Sequence, residues 1–342
     1  MRAALYYSNS DLRITQMPVP EIGKGELLLR VESCGICGSD VMEWYRENRV
    51  PLVLGHEISA IVAKAGEGVD GFSVGDRVSA SHHVPCNECY YCKNGHHTVC
   101  DTLRTTNFYP GGFSEYVRLP KINVELGTYR LPDRLSYDCA TFIEPLACVL
   151  RAQRVADIRP GQTILVIGSG IAGLLHIYLA KLKGAARVIA LDICDFRLAK
   201  AKELGADISM YAGEYKPGNL GDVNSGRLAD VVILCTQAQS AINTAFDSVE
   251  RAGVVLFFAP SDKDTTVNLS VNKLFWRTER KLVSSYAASP TDHLEALRIL
   301  EANQDVFEKM ITHRIPLKGI GLGFKLVSEA KECLKVIIKP QK

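Results

Sequence analysis

The sequence reads as an α/β chain of two domains, one built of short antiparallel strands and the other a doubly wound parallel sheet. Three observations predict this: its length, a change of hydrophobic rhythm near residue 159, and a glycine-rich turn set between a strand and a helix. At 342 residues the chain exceeds what one ordinary core supports, since domains usually hold roughly 50–200 residues.

From residue 1 to 150 the pattern is one of short alternating runs (2–6, 12–17, 26–34, 57–65 and 112–118) separated by Gly and Pro. Side chains on a strand alternate between faces, so such runs predict a half-buried antiparallel barrel or sandwich. At Arg159-Pro-Gly-Gln the rhythm changes. An apolar strand, 163–167, is followed by a Gly-rich turn and a helix over 171–183. A strand at 188–192 precedes a helix at 196–204, and 230–235 and 254–258 read as further buried strands. Strand and helix in alternation imply a parallel sheet covered on both faces. After about Pro290 a helix, 292–302, leads to apparent strands at 311–315 and 334–338. This tail is expected to rejoin the first domain, giving 1–150 with 291–342 as one domain and 151–290 as the other. No repeat or low-complexity segment is evident.

Composition bounds the partners. Lys and Arg number 40 against 38 Asp and Glu, for a formal charge of +2, and the two signs are well mixed, so no field would gather nucleic acid or an anionic membrane. The amino terminus carries no apolar signal-peptide core, and the longest apolar runs (163–167, 254–259) fall far below membrane-spanning length. A cytoplasmic protein is expected. The 11 cysteines, an odd number, suit metal ligands and buried thiols in a reducing compartment better than a disulfide framework.

Four of them, Cys86, Cys89, Cys92 and Cys100, lie in a polar loop with little to form a hydrophobic core. Zinc favours four tetrahedral ligands, and four thiolates close its shell to water and substrate, so this site reads as structural. His82, His83, His96 and His97 flank it and read as surface residues or outer supports of metal ligands.

A second donor set is scattered. Cys37 lies in Cys34-Gly-Ile-Cys-Gly-Ser-Asp40, His56 and Glu57 follow an apolar Pro51-Leu-Val-Leu, and Glu144 stands in Phe142-Ile-Glu-Pro-Leu. A thiolate, an imidazole and one or two carboxylates make an open zinc site, and such a zinc acts as a Lewis acid on an alcohol. Cys148 is near enough to Glu144 in sequence to compete as a ligand. Cys34 and Cys148 also read as core thiols, and His56 alone would read as a core histidine.

Gly168, Gly170 and Gly173 form Gly-x-Gly-x-x-Gly directly after a strand and at the start of a helix, with Ile171 and Ala172 in the turn. The first glycine permits a tight turn, the second lets backbone approach a pyrophosphate, and the third lets helix and strand pack closely, with the phosphates at the positive helix end. Asp192 ends the next strand, where its carboxylate can accept from the adenosine ribose and repel a 2′-phosphate, favouring NAD over NADP. Arg197 is a candidate second contact.

Taken in order, these motifs, with Gly75-Asp-Arg-Val, Gly112-Gly-Phe-Ser-Glu-Tyr and Thr312-His-Arg-Ile-Pro-Leu, resemble the zinc-containing medium-chain dehydrogenase/reductase superfamily, and within it the sorbitol and other polyol dehydrogenases. The resemblance spans essentially the whole chain. It implies a GroES-like catalytic domain, a Rossmann cofactor domain, catalysis in the cleft between them, and homodimers or homotetramers. It further implies a catalytic zinc on Cys37, His56 and Glu57, with Glu144 bound directly or through water, or a cysteine such as Cys148 as third ligand, as in the alcohol dehydrogenase branch. Ser39 would take the alcohol proton.

The chain departs from that pattern at three positions. Met42 stands where a relay histidine is common, Glu43 where sorbitol dehydrogenases place a tyrosine, and Ala287 near their substrate arginine; these speak against sorbitol itself. The expected function is NAD-dependent oxidation of a secondary hydroxyl on a polar small molecule, with two zinc ions per chain. The rivals are a zinc-free quinone or enone reductase on the same fold and a non-catalytic NAD-binding sensor.

Overall fold

The computed structural model describes residues 1–342. The chain divides into two compact units, Met1–Ala147 with Ala287–Lys342, and Cys148–Tyr286. The helix Ile143–Val155 runs across the first boundary.

The first unit is built on a seven-stranded sheet in the order Ile311–Pro316, Lys335–Lys339, Leu27–Gly35, Glu57–Ala65, Arg77–Ala80, Thr128–Arg130, with Tyr116–Leu119 also paired to Leu27–Gly35. A three-stranded sheet, Asp11–Gln16, Arg2–Ser8 and Leu52–Val53, is tied on through a bridge between Ala3 and Ser114. Leu27–Gly35 is buried along nearly its whole length because it lies inside the sheet with neighbours on both sides. The carboxy-terminal strand pairs antiparallel to it, Ile337 opposite Gly35 and Ile338 opposite Cys34. Tail and amino-terminal region therefore share one core, in which Leu29, Val31, Ile58, Phe113, Phe324 and Val336 are buried together.

The helix Pro290–Ala302 starts as its sequence directs. The Ser289 hydroxyl accepts from Asp292 N, the Asp292 carboxylate accepts from Ser289 N in return, and proline occupies the first turn. Ile320–Glu329 is also helical, although the run Gly319-Ile-Gly-Leu-Gly signals a turn. Packing decides here, because a Cβ on Gly323 would stand 2.7 Å from Ile36 Cδ1 and 3.3 Å from Val336 Cγ1. Glycine lets this helix lie close on the sheet.

The second unit is a six-stranded, all-parallel sheet in the order Ile208–Tyr211, Arg187–Asp192, Thr163–Ile167, Ala229–Leu234, Val249–Phe257, Lys281–Ser284. The chain starts in the middle, winds to one edge, then returns to fill the other half, which is the doubly wound Rossmann topology. Thr163–Ile167 is wholly buried, as a central strand between helical layers must be. No helix in the protein is long and apolar enough to cross a membrane.

His176 sits inside this unit, fully buried, with its ring edge-on to Phe258 at 4.6 Å and Nδ1 3.4 Å from Gln153 Nε2. Burial, aided by Lys183, pushes its pKa down to about 3. A depressed histidine pKa leaves stability intact above the unfolded value near 6.5 and removes it progressively as pH falls toward the folded value. Replacing His176 by Gln is expected to cut the stability lost between pH 7 and 5 by about 2 kcal/mol, measured by urea denaturation at the two pH values. An identical loss in both proteins would contradict the assignment.

Candidate active site and metal centres

In the loop 86–100 the four cysteine sulfurs lie within 4.8 Å of one another. Cys89 and Cys92 Sγ are 3.5 Å apart, and Cys86 and Cys100 Sγ 3.6 Å. Four sulfurs on one zinc at about 2.3 Å would stand about 3.8 Å apart, so the donors fit a tetrahedral shell. The N–H groups of Glu88 and Cys89 hold the Cys86 thiol below its ordinary value. Burial opposes ionisation of Cys100, yet main-chain contacts from Cys86 and Leu103 draw it down to about 6. Apolar support here is slight: Leu103, with Ala287 packed on it and the cysteines themselves. Ala287, where a substrate arginine was looked for, thus belongs to the lobe.

A second donor group collects Cys37, His56 and Glu57, again within 4.8 Å of one another. Cys37 and Ser39 come from the turn that follows Leu27–Gly35, and Glu57 opens the neighbouring strand. Asp40 pins the turn by accepting from Cys37 N at 3.0 Å, and Ser39 N points at Cys37 Sγ from 3.5 Å. The buried Asp40 carboxylate also faces His56 Nδ1 at 3.5 Å. That arrangement directs the other ring nitrogen elsewhere, as a metal-binding histidine requires. Burial works against an imidazolium at His56, but Asp40 and the Cys37 sulfur outweigh it and raise the pKa well above the usual value. The position favours a cation, and thiolate, imidazole and carboxylate suit zinc.

Glu57 has a partner that the sequence reading did not include. Lys335, fully buried like Glu57, places its ammonium against Glu57 Oε2. The same Nζ lies 3.5 Å from Ile36 O and 5.6 Å from the centre of the Phe142 ring. The pair crosses over Gly35, whose missing side chain is the space it occupies: a Cβ there would collide with Glu57 Oε2 and lie 2.6 Å from Lys335 Cε. Glu144 is half-buried in the first turn of Ile143–Val155 and near enough to support the Lys335 charge, but it is not in the group of three donors. Cys148, one turn further on, is half-buried, and Cys34 is a core thiol whose pKa burial raises.

Of the flanking histidines, His96 is exposed and His97 half-buried. His82 is half-buried and stands beside the donor group: its ring centre is 4.8 Å from that of His56 and 3.8 Å from that of His83. Burial first, then His83 and His56, depress its pKa far below normal. His83 Nδ1 meets Thr106 O at 2.7 Å.

In the second unit the glycine turn has the form a dinucleotide needs. Gly168 has φ 94°, in the left-handed region, and a Cβ there would stand 2.8 Å from Cys235 O. A Cβ on Gly173 would collide with Gly168 O, whereas Gly170 faces open space at the start of Ile171–Leu182, with Ile171 and Ala172 in its first turn. Asp192 is 5% exposed and already accepts from Ser169 N (2.6 Å), Ile193 N (2.8 Å) and Cys194 N (3.0 Å). Those bonds fix its carboxylate at the strand end beside the turn. Arg197 Nη1 is 3.9 Å from Asp192 Oδ2.

Gly35→Ala is expected to cost about 1–3 kcal/mol, because the added methyl must displace a buried ion pair. Denaturant midpoints of the two proteins measure this, and a neutral change would contradict the close approach.

Residues 23–132 match the family "Alcohol dehydrogenase GroES-like domain", and residues 172–302 match "Zinc-binding dehydrogenase". The L-threonine 3-dehydrogenase of Bacillus subtilis (strain 168) is 32% identical over 343 residues, covering 96% of this chain and 94% of that protein. The sorbitol dehydrogenase of Mus musculus is 32% identical over 342 residues, covering 96% and 93%. Among solved structures, a protein of Sinorhizobium meliloti 1021, a zinc-binding dehydrogenase by its description and bound to NADP, superimposes with a TM-score of 0.84 at 27% identity over 99% of both chains.

Proposed function

The chain belongs to the zinc-containing medium-chain dehydrogenase/reductase superfamily, and from that premise we propose that it reversibly oxidises a secondary hydroxyl of a polyol, sugar-like or other polar small molecule to the ketone. NAD(H) is the redox partner and two zinc ions are held per chain. The observation that carries the reading is the convergence of Cys37, His56 and Glu57, whose ligand atoms lie within 4.8 Å of one another. These three would hold the reactive zinc, and Cys86, Cys89, Cys92 and Cys100 the structural one. When bound, the reactive zinc acts as a Lewis acid on the hydroxyl oxygen and the nicotinamide accepts hydride.

The remaining roles fall to this chain's own side chains. Asp40 orients His56. A carboxylate has two oxygens, so Glu57 can keep one on Lys335 and turn the other to the metal, with Glu144 as a shuttling ligand or base. Ser39, two residues after Cys37, takes the hydroxyl proton first. Met42 carries no titratable group, so the proton leaves through a hydroxyl, a carboxylate or water. Gly168, Gly170, Ile171, Ala172 and Gly173 cradle the pyrophosphate at the helix start, and Asp192 with Arg197 receives the ribose. A buried carboxylate at that point supports NAD over NADP, because a 2′-phosphate would bring like charge against it.

Homodimers or homotetramers in the cytoplasm complete the proposal. The unpaired outer edge of Lys281–Ser284 supports assembly, and free cysteines throughout support a reducing compartment.

Cys37→Ala is expected to abolish turnover on every alcohol that the parent oxidises while NADH binding, read by fluorescence, persists. Retained turnover would overturn the mechanism. Cys89→Ser is expected to lower the melting temperature and zinc content together, and an unchanged melting temperature would remove the structural assignment.

A further inference from the structure

Resting on the dehydrogenase reading, we infer that the substrate carries an anionic oxygen group, a carboxylate or a phosphate, which Arg46 receives beside the Cys37 turn. Arg46 ends the short helix Glu43–Arg46 and is half-buried. Its Nη2 donates to Ser39 O at 3.3 Å, which holds the guanidinium over the turn bearing Cys37 and Ser39. Its charge is near enough to be felt at Asp40, His82 and His83. The ring of Tyr45 lies under it at 4.5 Å.

The acidic groups that could have neutralised it are engaged elsewhere. Glu43 accepts from Asn9 N at 2.7 Å, and Asp40 accepts from Cys37 N and faces His56, with Arg46 acting on it as a nearby charge. Three buried nitrogens here have no hydrogen-bond partner in the protein: Arg46 Nε, Trp44 Nε1 and His82 Nδ1. The first two can only donate. Buried donors in folded proteins are nearly always satisfied. A neutral polyol could supply hydroxyl oxygens, but an anion also answers the charge of the guanidinium, whose planar fork matches carboxylate and phosphate oxygens.

The test compares D-sorbitol, D-gluconate and sorbitol 6-phosphate as substrates of the zinc- and NAD-supplied enzyme. The expected result is kcat/KM at least tenfold higher for one of the two charged compounds than for sorbitol, and whichever leads identifies the anion as carboxylate or phosphate. Arg46→Gln should collapse that ratio at least tenfold and Arg46→Lys should restore part of it. A ratio near one in the parent, or one unchanged by Arg46→Gln, overturns the proposal. Binding is read separately through Trp44 fluorescence in a Trp276→Phe background, since these are the only two tryptophans. If no compound turns over but a charged one quenches Trp44 in the parent and not in Arg46→Gln, the anion site stands and the dehydrogenase reading fails. If neither turnover nor quenching occurs, the anion site is refuted.

Discussion

The buried pair of Glu57 and Lys335 is the constraint on which the first unit and its donor group depend. Two charged side chains stand inside a sheet at 1% and 0% exposure, where each alone would cost several kcal/mol in lost hydration. Neither is tolerable without the other, so the strand opened by Glu57 and the strand opened by Lys335 must be in place together. They are not hydrogen-bonded neighbours: Leu27–Gly35 lies between them, and the pair reaches over it at the residue without a side chain. Residues separated by 278 positions in sequence are thereby locked into one register. The strand that carries Glu57 next to Cys37 thus has its register tied to the tail.

The same pair sets the electrostatics of the donor group. Cys37, Asp40 and Glu57 bring three potential anions to one place, which would repel one another if nothing opposed them. Lys335 offsets one and the His56 position draws in a proton or a metal ion to offset another. Arg46 adds a further positive charge, held on Ser39 O and felt at Asp40. In the second unit a carboxylate is handled differently: Asp192 is buried by satisfying it with three backbone N–H groups. There fixed backbone dipoles act together with Arg197, whose Nη1 lies 3.9 Å from the carboxylate.

Much of this was legible in the residues, for identifiable reasons. The central strand 163–167 and its helix are strongly periodic and bounded by glycine, and local pattern sets such elements. The four-cysteine loop was readable because metal spacing is itself local. Short strands such as Leu52–Val53 and Lys281–Ser284 were missed because two to four residues carry no measurable period, and tertiary pairing alone makes them strands. Ile320–Glu329 was hidden because its glycines imitate a turn, and of those within the helix it is Gly323 that close packing on the sheet demands. Lys335 was missed because its role is entirely long-range. Its one local trace is a lysine inside Leu334-Lys-Val-Ile-Ile, a charge where the strand pattern calls for an apolar residue. His82 stayed obscure because adjacent histidines beside a metal lobe read as lobe residues, whereas the fold turns the first of them toward His56.

The most direct test is a double-mutant cycle on the buried pair, with Glu57→Gln, Lys335→Met and the combination, measured by chemical denaturation of metal-depleted protein. Each single change should cost about 3–5 kcal/mol by leaving one buried charge without its partner. The combined variant should lose far less than the sum, with a coupling of at least about 2 kcal/mol. Additive losses would show that the two side chains do not depend on each other, and would contradict the account.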